Sequence, residues 1–489
     1  MEAAQDLKKL YFRRKFSLTM FKNKQFRLSE MSFFKDFTQE PEKTRGNLYP
    51  VLDREGKPDE TVADGRYIFQ TTQTDARIIR LMGGYFPYAT YVIRAEALEG
   101  NCGFSFQTST GCTDIFFCQK NGNIVCTLGD QQLTHSAAFT PGTVFMVTCR
   151  EEELDIYVNS GVRPVYIGTL TAPLLKNAAC YHVFSRCVVG LYVAAGTVIL
   201  SQVYSCMDCG ISQADIRPIR YENGGCMLEN GKIYLTMSVR MEKGFYQGIF
   251  SWVPGTSEFE LTGAVFFDAG DGYWANDVAS SLLYHREEKK WYLWVCSFKH
   301  QHRLGHASFD GDVRFGLHVV DITLMEPMGA DKKDTDFLGK QGDEDPDFLY
   351  NEKTGKWLMA ICRLVDQNYR YFLFESEQPF EGYRCIAHAE SGSETGGSLI
   401  PVGQDLYFAC GSDFNRRAVY HLYRLPDMTS FSLLSCDYDD GGFRGWGTVI
   451  PIRSGSRTNY YWLTFDRNNG SDYQWSYGNL YGFLADAQS

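Results

Sequence analysis

The sequence predicts an all-β chain in two parts, an N-terminal β-sandwich followed by a five-bladed β-propeller. Three observations carry this reading. A strand-pair pattern recurs five times between Glu222 and the C-terminal region, short alternating apolar runs crowd the N-terminal half, and aromatic residues make up 15% of the chain, with 30 Tyr and 35 Phe. Aromatic side chains fit the pleated, half-buried surface of a strand. With 489 residues the chain is also too long for one ordinary core.

Residues 1–45 are polar and basic with short helical periodicity, and read as an N-terminal arm. Residues 46–205 contain stretches such as YATYVIRAEAL, CGFSFQTS, TVFMVTCR and TVILSQVYS, separated by turns such as Asn-Gly-Asn and Pro-Gly. Strands at that spacing suggest a sandwich. Residues 206–489 form the propeller, and Cys206 to Tyr221 read as the linker into it. The five repeats open at Glu222, Asn276-Asp277, Asp345, Glu394 and Trp446. Each runs from a polar motif into an apolar run, a charged or Gly-containing turn, and an aromatic-rich run. Second and third strands are legible in every copy, for example WYLWVCSF with RLGHASF and KWLMAIC with YRYFLFES. A hairpin repeat of about 50–70 residues is the signature of propeller blades.

A net charge of −11 argues against nucleic acid and anionic membranes as partners. No run of 18 apolar residues exists to span a bilayer. The first residues, MEAAQDLKKLYFRRKF, lack an apolar signal core. Fifteen cysteines, an odd number, sit largely within apolar strand patterns, as Cys226, Cys296, Cys362 and Cys410 do. Together these predict a cytoplasmic protein with reduced thiols. Cys206-Met-Asp-Cys209 is a lone C-x-x-C, read as structural rather than as a zinc site.

Radial geometry turns the repeats into a site. Residues just before each innermost strand and residues in each second-to-third-strand loop share one face of a propeller. The first set is Glu222, Asn276, Asp277, Asp345, Glu394 and Trp446. The second includes Arg240, His300, His302, Arg303, Arg363, Asp413 through Arg417, and Asp466 through Asn468. Four carboxylates, Glu222, Asp277, Asp345 and Glu394, are then expected around one pocket. Crowded carboxylates push each other's proton affinities apart, which suits acid and base roles. The plainer alternative is that they cap turns or hold a structural cation in the channel. Sugar contacts are expected from Asn223, Asn276, Tyr273, Trp274, His300, His302 and Trp446, since aromatic faces pack on sugar rings and imidazoles both donate and accept. Arg363, Arg416 and Arg467 form a cationic loop layer, suited either to rim ion pairs or to gripping an anionic substituent. No metal site or cofactor is expected.

The block Asp345-Pro-DFLYNEKTGKW resembles the inner motif of family 43 glycoside hydrolases and their relatives in families 32, 62 and 117, and Glu394-Thr-Gly-Gly is similar to the motif carrying their general acid. The N-terminal half resembles a concanavalin or laminin-G sandwich. The first resemblance implies an exo-acting glycosidase in which Glu394 protonates the leaving oxygen and Asp345 tunes it and orients the sugar. The family's general base is an Asp in the first blade, where this reading finds Glu222-Asn223; the base is therefore Glu222 or Asp277. The alternatives are a phosphorylase similar to family 130, with the Arg and His layer holding phosphate, and a carbohydrate-binding propeller without catalysis.

Overall fold

The computed structural model describes residues 7, 10–18, 25–27, 50–242, 244–326, 342–365, 368–390, 394–403, 405–412, 420–437, 447–454, 457–466 and 478–487. The chain divides into two compact units. One holds the N-terminal strand, Cys209–Asp271 and the chain from Ala275 onward; the other runs to Asp208 and also claims Gly272–Trp274.

The first unit is a five-bladed β-propeller, as the repeats predict. Blade 1 orders its strands Ser212–Pro218, Lys232–Arg240, Phe245–Trp252 and Phe259–Asp268 from the inside out. Blade 2 runs Val278–His285, Lys290–Ser297, Arg303–Phe309 and Thr323–Leu324. Blade 3 is Asp343–Asn351, Lys356–Val365, Asn368–Ser376 and Arg384–His388. Blade 4 is Glu394–Val402, Asp405–Ser412, Tyr420–Arg424 and Thr429–Leu433. In blade 5, Gly447–Ser454, Arg457–Phe465 and Leu480–Ala487 are completed by Leu10–Leu18, which pairs antiparallel with the last of them. A segment read as a helical arm is thus the outer strand of the last blade. Its backbone bonds tie the chain's beginning to its end, so the ring is held closed by a full ladder rather than an open edge.

Neighbouring blades are glued by aromatic clusters. Trp294, Trp357 and Phe348 pack between blades 2 and 3, and Tyr420, Trp462 and Phe12 between blades 4 and 5. Each such ring buries roughly 150–250 Å², which accounts for the aromatic richness of the second strands.

The second unit contains a seven-stranded and an eight-stranded sheet. Their buried rings meet: Phe117 of one stacks on Phe145 of the other at 4.4 Å, and Tyr91 contacts Phe104 at 5.7 Å. Its strand Thr197–Asp208 includes Cys206, and blade 1 begins at Ser212, so most of the stretch read as linker lies in regular strands.

Candidate active site

The inner strands of blades 1–4 share one irregularity near their starts. Each slips register by a β-bulge, between Ala214 and Arg217, Val278 and Ser281, Glu344 and Asp347, and Thr395 and Ser398. At each bulge one residue adopts a left-handed backbone: Asp215 at φ 51°, Ala279 at 57°, Asp345 at 50° and Gly396 at 60°. Aspartate tolerates this conformation better than most residues, because its short polar side chain bonds locally. A bulge re-aims the side chain it carries. The fold therefore repeats one pointing device four times and loads it with a carboxylate in blades 1 and 3.

Two residues further along, Arg217, Ser281, Asp347 and Ser398 form a layer that Thr448 of blade 5 completes. Asp347 is fully buried and takes hydrogen bonds from Ser281 Oγ at 2.7 Å, Ser398 Oγ at 3.3 Å and the Leu399 N–H at 2.7 Å, besides an ion pair with buried Arg220. Ser398 also meets the Thr448 hydroxyl at 2.7 Å. Every acceptor site of Asp347 is engaged, so this layer makes a rigid floor.

Above it, Asp215 accepts from Ser238 Oγ at 2.5 Å and pairs with Arg240 at 3.4 Å. Asp345 accepts from Thr395 Oγ1 at 2.9 Å and the Gly396 N–H at 3.3 Å. Burial raises the Asp345 carboxyl, and the negative charges of Asp215 and Glu344 push it further, to about 6, against the pull of Arg217 and the Thr395 hydrogen bond. A carboxyl that burial and neighbouring negative charge keep protonated is the kind of group from which an acid role arises.

Two positions before the bulge residue, blades 2, 3 and 4 carry Asp277, Asp343 and Glu394 and blade 1 carries Gln213, all buried. The three acids turn toward their own blades. Asp343 holds Arg363 in an ion pair. Glu394 accepts from the Tyr423 hydroxyl at 2.8 and 2.9 Å and pairs with His421 Nδ1. Burial raises the Asp277 carboxyl, opposed by Ser297, the Lys299 N–H and His300. His300 Nδ1 lies 2.8 Å from Ser297 Oγ, and His302 reaches blade 3 to pair with Glu344 at 2.7 Å. Asp277, Asp345 and Glu394 lie near the starts of the inner strands of blades 2, 3 and 4, and His300, His302 and Arg363 lie at or beside the turns that follow the second strands of blades 2 and 3; between blades, His302 meets Glu344 and Asp345 meets Thr395. Asn276 donates to the Phe245 carbonyl at 2.8 Å. Among the described residues no group of three His, Cys, Asp or Glu side chains is placed to hold a metal ion.

Glu222 and Asn223 do not join them. Glu222 pairs with Arg286 at 2.5 Å in the turn at the far end of blade 2's inner strand, and Asn223 donates to Glu352 at 3.1 Å in the corresponding turn of blade 3. Burial raises the Glu222 carboxyl, but the Arg286 hydrogen bonds outweigh it and hold it below the usual range. The inner strand of blade 1 carries Asp215, within the stretch the sequence predicts as linker. Its signal was the phrase Ala-Asp-Ile-Arg-Pro, a polar counterpart of Glu-Asp-Pro-Asp around Asp345. Tyr273 and Trp274, expected at the pocket mouth, fold with the second unit, where Trp274 packs on Phe184 at 4.4 Å and Phe86 at 5.5 Å. Arg416, Trp446 and Arg467 lie outside the described residues.

No family model matches the chain, and no curated protein matches its sequence. Among solved structures it is similar to a family 117 glycoside hydrolase produced by the marine bacterium Zobellia galactanivorans, with 13% identity over 56% of this chain and 85% of that one, at a TM-score of 0.40. A family 43 β-1,3-galactosidase bound to galactodeoxynojirimycin shows 10% identity, covering 55% and 93%, at 0.37. An α-L-arabinofuranosidase from Podospora anserina shows 12% identity, covering 57% and 92%, at 0.39.

Proposed function

We propose that this protein is a glycoside hydrolase that removes terminal sugars at the mouth of its propeller channel. The observation that carries the proposal is the pair Asp215 and Asp345, presented on equivalent bulges of blades 1 and 3, one of which keeps its proton to about pH 6. With Asp215 in the first blade, Asp345-Pro in the third and Glu394 in the fourth, the chain carries an acid at each position that its resemblance to family 43 requires. Asp215 takes a proton from water, whose oxygen attacks the anomeric carbon. The bond from that carbon to the leaving oxygen breaks, and the leaving oxygen takes a proton from Glu394. To do so, the Glu394 carboxyl turns from His421 and Tyr423 toward the channel. A second reading makes Asp345 the acid; its raised proton affinity and the full burial of Glu394 favour it.

Phosphorolysis has weaker support. Arg363, Arg240 and Arg303 are each tied to an acid, Asp343, Asp215 and Glu326, which leaves them poorly suited to gripping phosphate. All fifteen cysteines are unpaired, which supports placing the activity in a reducing compartment.

The test is turnover of a panel of aryl furanosides, aryl pyranosides and oligosaccharides, with and without phosphate. Asp215→Asn should lose activity by about 10²–10⁴-fold on every substrate. Removing the true acid should spare substrates with very acidic leaving groups such as dinitrophenol. If Glu394→Gln shows that sparing, Glu394 is the acid; if only Asp345→Asn does, the second reading holds. A wild-type protein inert on the whole panel would favour a carbohydrate-binding propeller instead.

A further inference from the structure

Arg217 is the residue of the channel that the proposed chemistry does not yet use. It follows Asp215 by two positions on the inner strand of blade 1, and only 1% of it is exposed. Its Nη1 contacts the Ile216 carbonyl at 3.3 Å, while Nε and Nη2 have no hydrogen-bond partner among the described residues. An arginine buried with two open donors costs several kcal/mol unless nearby charge offsets it. The charged groups within its reach are Asp347, Asp345 and Asp215, with Tyr371 beside them. Asp347 already holds Arg220 and three further donors. Asp215 likewise has Arg240 at 3.4 Å as its cation, which leaves Asp345 as the carboxylate that Arg217 balances.

We propose that Arg217 is a positioning residue, the built-in counter-charge that lets two carboxylates occupy one channel by balancing one of them. Asp347 has Arg220 and Asp215 has Arg240 as counter-charges, and an ionised Asp345 has Arg217. The other groups that face Asp345 do not supply positive charge in place of Arg217. Glu344 is acidic and engaged with His302. Glu394 is engaged with His421. Cys296, Cys362 and Tyr371 are buried thiols and a buried phenol, kept neutral by burial. Asp277, in blade 2, is itself acidic. The proposal rests on the carboxylate pair being the reacting groups, but its first test does not.

That test compares how much Asp345→Asn raises the thermal midpoint at pH 8 in the wild type and in Arg217→Met. Without its counter-charge an ionised Asp345 is more costly, so the gain should be at least about 1.5-fold larger in the Arg217→Met background, and unchanged in Arg217→Lys. Equal gains in wild type and Arg217→Met would overturn the proposal. If Arg217→Met does not fold at pH 8, the proposal expects it to fold at pH 5 or when combined with Asp345→Asn; failure in both would make Arg217 a packing residue and end the idea. The second test is the acidic limb of kcat/KM, which should move up by about one pH unit or more in Arg217→Met, a change of about 1.4 kcal/mol per unit in the balance of protonation states. A limb that stays put overturns the proposal, whereas a wild type without turnover defeats only the glycosidase reading and leaves the thermal comparison decisive.

Discussion

Replacing Asp345 by Asn should stabilise the protein at neutral pH. The carboxyl has an ordinary value of 3.8 and is raised to about 6 by burial and by the charges of Asp215 and Glu344. Between those two values the folded chain binds a proton that the unfolded chain has released. Stability therefore falls as pH rises through that window, and the whole cost is in place above pH 6. At about 1.4 kcal/mol per pH unit, the gap amounts to about 3 kcal/mol. Asparagine has the same shape and keeps an oxygen to accept from Thr395 Oγ1 and the Gly396 N–H, but it has no charge to bury. For a unit of this size the expected gain at pH 7.5 is on the order of 5–10 °C in Tm. It should shrink steadily toward pH 4, where both proteins present a neutral group. Trp252, Trp291, Trp294, Trp357 and Trp462 all lie in blades, so tryptophan fluorescence during heating follows the propeller. A variant less stable than wild type at pH 7.5, or a gain that does not change with pH, would refute the reasoning.

Three further outcomes follow from the same contacts. Glu222→Gln should keep wild-type activity and cost less than about 1 kcal/mol in urea unfolding, because its partner Arg286 is 48% exposed at the side chain; a large loss of turnover would return Glu222 to the site. Phe12→Ala should cost about 3–5 kcal/mol, since Phe12 is fully buried and meets Trp462 edge-on at 5.9 Å; a neutral result would show that the N-terminal strand does not close the ring. Arg220→Met should cost about 3–5 kcal/mol by leaving Asp347 charged and buried without its cation, and unfolding curves that overlay the wild type would contradict the rigid floor.

The propeller was legible because hairpins are local. A second strand such as Lys290–Ser297 pairs with residues a short turn away on both sides, so alternation and turn chemistry expose it in the sequence. The inner strand of blade 1 was not legible for two physical reasons. Ser-Gln-Ala-Asp-Ile-Arg-Pro is almost wholly buried yet mostly polar, because it lines a channel of charges rather than a greasy core. In blades 2 and 3, Ala279 and Asp345 lead directly to Lys290 and Lys356, but between Asp215 and Lys232 the chain makes the short strands Arg220–Tyr221 and Leu228–Glu229. That excursion carried Glu222-Asn-Gly-Gly into the slot where the repeat expected an inner strand. Leu10–Leu18 was missed for the opposite reason. Its strand character is specified by partners at the other end of the chain, and its own Arg-Arg-Lys run reads as a solvated arm.

The four bulges explain why the acids differ in what they can do. A residue at a bulge is aimed by its backbone, so Asp215 and Asp345 present their carboxylates without any rearrangement. Glu394 is two positions earlier, on regular strand, and is aimed by its side-chain partners instead. A group held by Tyr423 and His421 can be released; a group held by a left-handed backbone cannot be re-aimed without unmaking the bulge. The pointing positions of blades 2 and 4 are occupied by Ala279 and Gly396, which present no polar side chain. Ala279 packs in the apolar cluster of Trp294 and Phe348, and an acid placed there would add a buried negative charge without bringing a cation of its own. Ala279→Asp should therefore lower stability above pH 6 and recover below pH 4, where carboxyls are neutral. Midpoints measured across that range decide the matter: a penalty that persists at low pH would mean that the site rejects the side chain for its size, and that charge balance does not govern what the bulges carry.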